Sequence, residues 1–420
     1  MKASEHVQLL QFIIRGLLIS VFIGLTVGSA SAFFLVSLDW ATNWRESHQW
    51  IIWVLPFGGM AIGLLYHYFG KEVEAGNNLI IQEIQQPKKL ISILMAPMVL
   101  IGTVATHFFG GSAGREGTAV QMGGSIADQL HRIFQFDDDN RRMLIAAGVS
   151  AGFASVFGTP LAGSIFGLEM AFIGRINYKA ILPCFLSAAL ADYVTTAWGV
   201  GHTAYFIDIV PPISTINIIW IVICGLIFGL AGMSFSVLTR ELGKLYGNHI
   251  SFAPFRPFVG GVIIALLVWV LGTTKYIGLG VPTIVEAFST PLPPYDFAIK
   301  IALTAITLGA GYKGGEVTPL FFIGATLGNA LSIFIPLPMA LLAGCGFVAV
   351  FAAAANTPLA CIFMGIELFG AESGTYIGIA CIVAYLFSGH TGIYKAQIVG
   401  SSKSAHPIHE EKTLHELNSK

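Results

Sequence analysis

The chain has 420 residues, of which 55% are hydrophobic and only 11% are charged, with a formal net charge of −1. Soluble proteins carry about a quarter charged residues, so this composition predicts a protein embedded in the lipid bilayer. Without a basic excess or a nucleic-acid-binding motif, no nucleic acid partner is expected. The polar ends reach only to about His6 and from about Gly400, so no appended soluble domain is expected.

The N-terminal apolar stretch ends in Ala30-Ser31-Ala32, which resembles a signal-peptidase site. However, Arg15 interrupts the stretch, and the sequence stays hydrophobic after Ala32. We therefore predict a retained, tilted membrane helix from Leu9 to Trp40.

Further helical apolar segments follow along the chain. They lie at about 50–69, 89–108, 143–158, 160–173, 178–198, 214–239, 256–272, 296–310, 318–334, 337–354, 358–370 and 373–388. Several are shorter than the roughly 20 residues of a straight membrane span, and others are broken by some of the 48 glycines. Interrupted membrane helices indicate irregular backbone that lines a binding site.

Basic residues mark the sides of the membrane. They gather in most loops and in the tail, at Lys88, Lys89, Arg132, Arg141, Arg142, Arg175, Lys179, Arg240 and Lys244. The stretch 199–213 has none. The positive-inside rule therefore places these loops and the tail in the cytoplasm and residues 199–213 outside.

An internal repeat is the strongest architectural signal. The segment "GTPLAGSIFGLE" at Gly158–Glu169 matches "NTPLACIFMGIE" at Asn356–Glu367, an offset of 198. At an offset of 200, the glycine, glutamate and threonine of "GREGT" coincide with those of "GGEVT". We predict an all-α polytopic protein of two inverted repeats with tilted, partly discontinuous helices. The predicted divisions are 1–199, 200–400 and a cytoplasmic tail at 401–420.

The segment "GGSAGREGTAVQMGG" places Arg115 and Glu116 inside this apolar chain. The glycine-rich turn puts Glu116 in the first turn of a helix, where unsatisfied N–H groups attract anions. A carboxylate there occupies an anion site as a substitute for the ion, and protonation releases it. Glu116 is thus expected to compete with the transported anion for this site and to carry a proton. The alternative is a structural pair between Arg115 and Glu116.

Four motifs in order resemble the CLC family of anion channels and anion/proton antiporters. They are "GNNLI" at Gly76–Ile80, "GREG" followed by "VQMGG", "GGEVTP" at Gly314–Pro319, and "GIY" at Gly392–Tyr394. The resemblance implies a homodimer in which each subunit has its own anion pathway. It also implies that Glu116 is the external gating glutamate and that the Tyr394 hydroxyl contributes to the central anion site.

The departures from the chloride-handling motifs resemble the fluoride branch, CLC-F, whose members are fluoride/proton antiporters. Asn77 replaces the usual serine, Thr118 replaces a proline, and the third motif carries Glu316 and Thr318. The inner proton-transfer glutamate of many chloride/proton antiporters falls on Met170, which leaves the usual proton relay without an ionisable group.

The resemblance leads to a set of expected site residues. Fluoride holds its hydration water tightly and accepts strong hydrogen bonds, so amide and hydroxyl donors must replace that water. The expected anion-binding residues are Asn77, Gly117, Thr118, Val317, Thr318 and Tyr394. The expected proton-coupling residues are Glu116, Glu316 and Thr318, with the last two hydrogen-bonded to Glu116 when it swings inward. The alternative for Glu316 is an ion pair with Lys313 or a cap on its own helix.

Other functions remain open at this stage. A CLC-type chloride/proton antiporter or a passive anion channel has the same glutamate. "GGSAG" matches a serine nucleophile motif, but the strand-to-helix elbow and the base that this motif needs are not visible. A membrane scaffold leaves the repeated intramembrane acids unexplained. We therefore expect a secondary transporter rather than an enzyme.

No cofactor and no metal site are expected. The eleven histidines show no ligand spacing. The cysteines lie far apart in apolar segments and are predicted to be buried thiols: Cys184, Cys224, Cys345, Cys361 and Cys381. The expected partners are fluoride or chloride, protons, the lipid bilayer and a second copy of the chain. The expected location is the bacterial inner membrane.

Overall fold

The computed structural model describes residues 3–403 and 411–418. Within these residues the protein is almost entirely helical, and its named strands are the two-residue β1 Phe172–Ile173 and β2 Ile398–Val399. These strands pair in parallel and attach the C-terminal segment to residues 172–173, which lie within the first half of the chain. The predicted all-α, polytopic fold class is confirmed.

The helices of the first half cover most of residues 3–197. They are α1 Ala3–Ser47, α2 Leu55–Phe69, α3 Asn77–Gln85, α4 Met95–Phe109, α5 Glu116–Phe134, α6 Asp138–Phe157, α7 Pro160–Glu169 and α8 Ile181–Ala197. Short 3-10 helices at Gln49–Val54 and Tyr178–Ala180 precede α2 and α8.

The second half repeats this plan after the extended stretch 199–213. Its helices are α9 Thr215–His249, α10 Phe255–Leu271, α11 Val281–Glu286, α12 Asp296–Gly309, α13 Val317–Leu331, α14 Met339–Ala355, α15 Pro358–Phe369 and α16 Gly374–Phe387. A 3-10 helix at Ala371–Ser373 precedes α16, and α17 Leu414–Leu417 lies in the tail. The division between residues 199 and 200 stays a prediction, supported by the matching order of helices on its two sides.

Helix length separates two groups of elements. In the described part of the chain, four helical stretches are long and apolar enough to cross a membrane: Ile13–Ser47, Gln49–Phe69, Tyr178–Ala197 and Thr215–His249. Other apolar helices have only 10–17 residues. These helices are shorter than the roughly 20 residues of a straight span. α3 and α11 are missing from the predicted segments because they have only nine and six residues.

The apparent signal-peptidase site lies inside a continuous, packed helix. α1 passes through Ala30–Ala32 without a break. The Ser155 hydroxyl donates to the Ser31 hydroxyl at 2.7 Å, and the Thr195 hydroxyl donates to the Gly28 carbonyl at 3.0 Å. Cleavage after Ala32 would therefore remove a helix that packs against α6 and α8.

Equivalent glycines bring helices of each repeat into close contact. Gly123 of α5 faces the Gly148 carbonyl of α6, and Gly324 of α13 faces the Gly346 carbonyl of α14, with no room for a side chain at any of the four. Small residues let membrane helices approach backbone to backbone. The same glycine contact in both halves supports the duplicated architecture.

The repeated helices α7 and α15 cap one another. The glutamate near the C-terminal end of each helix accepts backbone N–H groups from the first turn of the other. Glu367 accepts from Leu161 at 2.9 Å and Ala162 at 2.8 Å, and Glu169 accepts from Leu359 at 3.3 Å and Ala360 at 3.0 Å. The geometry therefore gives both acids a structural role, satisfying N–H groups that a helix leaves unpaired.

We expect Glu169→Gln to destabilise the fold without uncoupling transport. Hydrogen bonds to charged groups are worth about 1.5–3 kcal/mol each, and an amide has only one oxygen to offer. The thermal midpoint of the detergent-solubilised protein should fall. Below that midpoint, the ratio of protons to anions moved should match that of the unsubstituted protein. A changed ratio with an unchanged midpoint would contradict the capping role.

Candidate functional site

Two glycine-rich loops, one from each repeat, meet in the middle of the molecule. Gly114 and Gly315 form an isolated antiparallel bridge. The Gly114 N–H donates to the Gly315 carbonyl at 2.6 Å, and the Gly315 N–H donates to the Gly114 carbonyl at 2.7 Å. A Cβ on Gly114 would lie 2.9 Å from the Gly315 oxygen, so a side chain there would separate the loops. The bridge positions the first turns of α5 and α13 beside each other.

Glu116 is fully buried at this meeting point. Its carboxylate accepts the Thr318 backbone N–H at 3.0 Å and the Thr318 hydroxyl at 2.5 Å. The Arg115 N–H donates to it at 3.2 Å, and the Arg115 Nε lies 3.6 Å from Oε1. An acid of the first repeat thus occupies the N-terminal turn of a helix in the second repeat. A helix N-terminus attracts negative charge, so the carboxylate is well placed to satisfy the donors of this first turn.

Glu316 precedes α13 but does not cap it. Its side chain makes no capping hydrogen bond to the helix, and its Oε2 is buried without a partner among the described residues. No ion pair within 4 Å joins it to Lys313, whose ammonium instead lies 4.1 Å from the centre of the Tyr66 ring. The geometry therefore favours neither structural alternative considered for Glu316. An unpaired buried acceptor is costly, and a proton or a donor-carrying ligand would satisfy it.

A cavity of about 150 Å³, here called the inner cavity, lies beside Glu316. Its lining includes Asn77, Gln121, Lys313, Glu316 and Tyr394. Asn77 is the first residue of α3, and its Oδ1 is buried without a partner among the described residues. Its Nδ2 lies 3.0 Å from the position of a Cβ on Gly117. Three expected site residues from distant parts of the sequence, Asn77, Glu316 and Tyr394, therefore share one small polar cavity.

The other expected anion-binding residues have different surroundings. Thr118 is buried, and its hydroxyl lies 2.6 Å from the Thr103 hydroxyl. Val317 packs in the hydrophobic core and is 1% exposed. Gly117 adjoins Asn77, and Thr318 binds Glu116. Anion binding by these residues stays a prediction, and the side chains of Thr118 and Val317 do not line the inner cavity.

Two residues that line the inner cavity were not among the expected site residues. Gln121 was not considered, and Lys313 was considered only as an ion-pair partner of Glu316. Gln121 follows Gly117 by four residues, and residues four apart share a helix face, so the spacing carried a usable signal. Its amide approaches Gly76, where a Cβ would lie 3.1 Å from Oε1. Lys313 carried a signal too, since a charge in a glycine-rich membrane loop is a functional candidate.

A larger cavity of about 560 Å³, the outer vestibule, lies on the other side of Arg115. Basic and acidic side chains mix in its wall, and its lining includes Asp39, Arg45, Glu46, Arg115, Thr203 and Lys275. Thr203 belongs to the stretch predicted to lie outside the cell. Arg115, next to Glu116 in the chain, lines the outer vestibule, and Gly117 on its other side adjoins Asn77 of the inner cavity.

Met170 leaves no ionisable side chain at the position expected for an inner proton relay. It is fully buried in the hydrophobic core. Its carbonyl accepts the Gln397 amide at 2.9 Å, while the neighbouring Glu169 caps α15. With both residues engaged structurally, Glu316 is the acid nearest to Glu116 at the meeting of the two loops.

Comparison with known proteins shows which family has this architecture. The model of the CLC family, described as "Voltage gated chloride channel", matches residues 58–389 of this chain. A "Chloride/fluoride channel protein" of Pseudomonas syringae pv. tomato is 54% identical over 99% of this chain and 93% of its own length. An "H(+)/Cl(-) exchange transporter ClcA" of Klebsiella pneumoniae is 28% identical over 84% of this chain and 80% of its own.

Solved structures agree with the sequence comparison. The crystal structure of "a CLC-type fluoride/proton antiporter" superposes with a TM-score of 0.89 and 35% identity, covering 91% of this chain and 98% of that one. A "slow cyanobacterial Cl-/H+ antiporter" superposes with a TM-score of 0.77 and 23% identity, covering 89% and 94%, and shows the common fold. This chain therefore belongs to the CLC family of voltage gated chloride channels.

Proposed function

We propose that this protein exports fluoride in exchange for protons. The observation that carries the proposal is the carboxylate of Glu116 held by the N–H and the hydroxyl of Thr318 at the start of α13. Beside it lies Glu316, whose Oε2 has no partner among the described residues. The names of the 54%-identical relative and of the 35%-identical structure, which both mention fluoride, support this choice of anion.

In the first step, fluoride replaces the Glu116 carboxylate as the hydrogen-bond acceptor of Thr318. Ionised Glu116 is held by two donors on Thr318 and by charge attraction from Arg115. When Glu116 takes a proton from the outer vestibule, the charge that held it is lost and its side chain leaves. The Thr318 N–H and O–H are then free for fluoride, which is also a small, hard acceptor.

The second step takes place at the inner cavity. Fluoride leaving water needs donors there, and the Asn77 amide, the Gln121 amide and the Tyr394 hydroxyl can supply them. A protonated Glu316 supplies one more O–H, whereas an ionised Glu316 would repel the anion. Fluoride binding inside therefore favours protonated Glu316, which receives the proton that Glu116 brings from the outer vestibule. That proton leaves to the cytoplasm when fluoride moves outward, so the two ions move in opposite directions.

Membership of the CLC family supports a proposal for the assembly and the location. We propose a homodimer in which each subunit carries its own pathway, because the inner cavity and Glu116 are built from one chain. We place it in the bacterial inner membrane, where an inward proton gradient supplies the free energy for export. Cross-linking in native membranes tests the dimer.

We expect liposomes containing the purified protein to release fluoride much faster than chloride, with protons moving the opposite way. Small, strongly hydrated fluoride gains most from the amide and hydroxyl donors, because it accepts stronger hydrogen bonds than chloride does. A fluoride electrode, a chloride electrode and a pH electrode record the three fluxes in matched preparations. Equal rates would favour a chloride/proton antiporter, and fluoride release without proton movement would indicate a passive channel.

A further inference from the structure

A second cavity of about 360 Å³, here called the antechamber, adjoins the inner cavity. The two share Tyr66, Glu74 and Lys313 in their walls. The remaining charged side chains of the antechamber are Lys71 and Arg256. Three cations thus face one carboxylate. Arg256 begins α10 just after the basic C-terminal end of α9, so the positive-inside rule places the antechamber on the cytoplasmic side.

The cations of the antechamber keep their charges available. Arg256 donates its Nε to the Ile250 carbonyl at 3.0 Å, and carbonyls orient the guanidinium without neutralising it. Lys71 is exposed. In the described part of the chain, no carboxylate lies within 4 Å of the charged nitrogens of Arg256, Lys71 or Lys313. A cleft with an excess of one charge raises the local concentration of counter-ions.

Contacts with α4 and with Tyr66 hold Lys313 in place where the antechamber meets the inner cavity. Its stem passes Gly102 of α4, where a Cβ would lie 2.9 Å from the Lys313 Cβ and 3.0 Å from its Cγ. Its ammonium lies 4.1 Å from the centre of the Tyr66 ring. The ring holds the cation by its face and leaves N–H donors for another ligand. A lysine kept in place without a carboxylate partner is suited to receive a mobile anion.

We propose that Lys313 forms a loading site that captures a small inorganic anion from the antechamber and passes it to Asn77 and Tyr394 in the inner cavity. The identity of that anion as fluoride rests on the proposed function. The loading site concentrates fluoride at the inner cavity and leaves the proton-carrying chemistry to the two glutamates. Its loss should therefore change the concentration dependence of transport and leave the coupling ratio unchanged.

The test measures the initial rate of fluoride efflux from liposomes against internal fluoride concentration. Lys313→Met keeps the stem and removes the charge. We expect its half-saturating fluoride concentration to rise about tenfold at low ionic strength, the lower end of the range for electrostatic focusing. The difference should shrink in high salt. The protons moved per fluoride should match the unsubstituted protein, and Lys313→Arg should transport with a near-normal half-saturation.

Lys88→Met is the matched control, because Lys88 is an exposed lysine of the cytoplasmic loops that lines neither cavity. It should leave the half-saturation unchanged. If Lys313→Met does not fold, Lys313→Cys is measured before and after aminoethylation of its thiol, which restores a positive charge. The native cysteines are buried and should not react.

An unchanged half-saturation in folded Lys313→Met, or an equal rise in Lys88→Met, overturns the loading site. So does a Lys313→Cys protein whose half-saturation does not fall on aminoethylation. If the unsubstituted protein moves fluoride without protons, the proposed antiport is refuted. The half-saturating fluoride concentrations of the Lys313 and Lys88 variants then still test the loading site. Unsubstituted protein that moves no fluoride refutes both.

Discussion

Glu116→Gln is expected to reduce fluoride-driven proton uptake at least about 100-fold, the lower end for removing a proton-transfer group. The amide keeps the size of a protonated glutamate but cannot release a proton. It also places an NH₂ group or a weaker acceptor against the two donors of Thr318. Proton uptake by liposomes under an outward fluoride gradient measures the effect, whatever passive anion flow remains.

The control for Glu116→Gln is Glu46→Gln. Glu46 lines the outer vestibule with a side chain that is 59% exposed, so the substitution removes a nearby carboxylate without reaching the meeting point of the two loops. It should change proton uptake by less than a factor of about five, because exposed ion pairs contribute at most about 1 kcal/mol. Normal fluoride-driven uptake in Glu116→Gln would exclude Glu116 as the proton carrier.

Glu316→Gln is expected to lose proton coupling while the protein stays folded. A buried acid in a membrane helix costs about 2.5–3.5 kcal/mol on insertion scales, and Oε2 of Glu316 has no described partner that offsets this cost. The amide removes the charge, so the thermal midpoint should stay the same or rise. Proton uptake and fluoride efflux, recorded together, give the coupling ratio.

Glu169→Gln is the matched comparison, since it also replaces a glutamate with a carboxylate oxygen inside the protein. Glu169 has two N–H partners, so its substitution should lower the thermal midpoint and keep the coupling ratio. The two variants should thus show opposite patterns. If Glu316→Gln elutes normally in size exclusion and still exports fluoride with a normal proton ratio, Glu316 has no part in coupling and Glu116 alone must carry the proton.

The membrane class and the duplicated plan were predictable because they depend on properties local to the chain. Hydrophobic content reveals a membrane protein, and the Thr-Pro-Leu-Ala segments repeat in order at nearly one offset. Glu116 was predictable as a helix-terminal acid for the same reason, since glycines and the following helix pattern lie within a few residues of it.

Contacts between distant residues could not be read from the sequence. Thr318, which holds Glu116, is 202 positions away, and the Lys313 ammonium lies over the ring of Tyr66, a residue of α2. Mutual capping by Glu169 and Glu367 needs two helices in antiparallel contact. The antechamber needs α2, α10 and the loop before α13 together.

The sequence alone thus determined a duplicated, glycine-broken membrane protein with an acid at the start of α5, because periodicity, composition and helix ends act over a few residues. Only the tertiary structure decided that Thr318 binds Glu116. It also decided that Oε2 of Glu316 has no described partner and that Lys313 lies over Tyr66. Those outcomes depend on the Gly114–Gly315 bridge, which joins residues 201 positions apart and brings the first turns of α5 and α13 together.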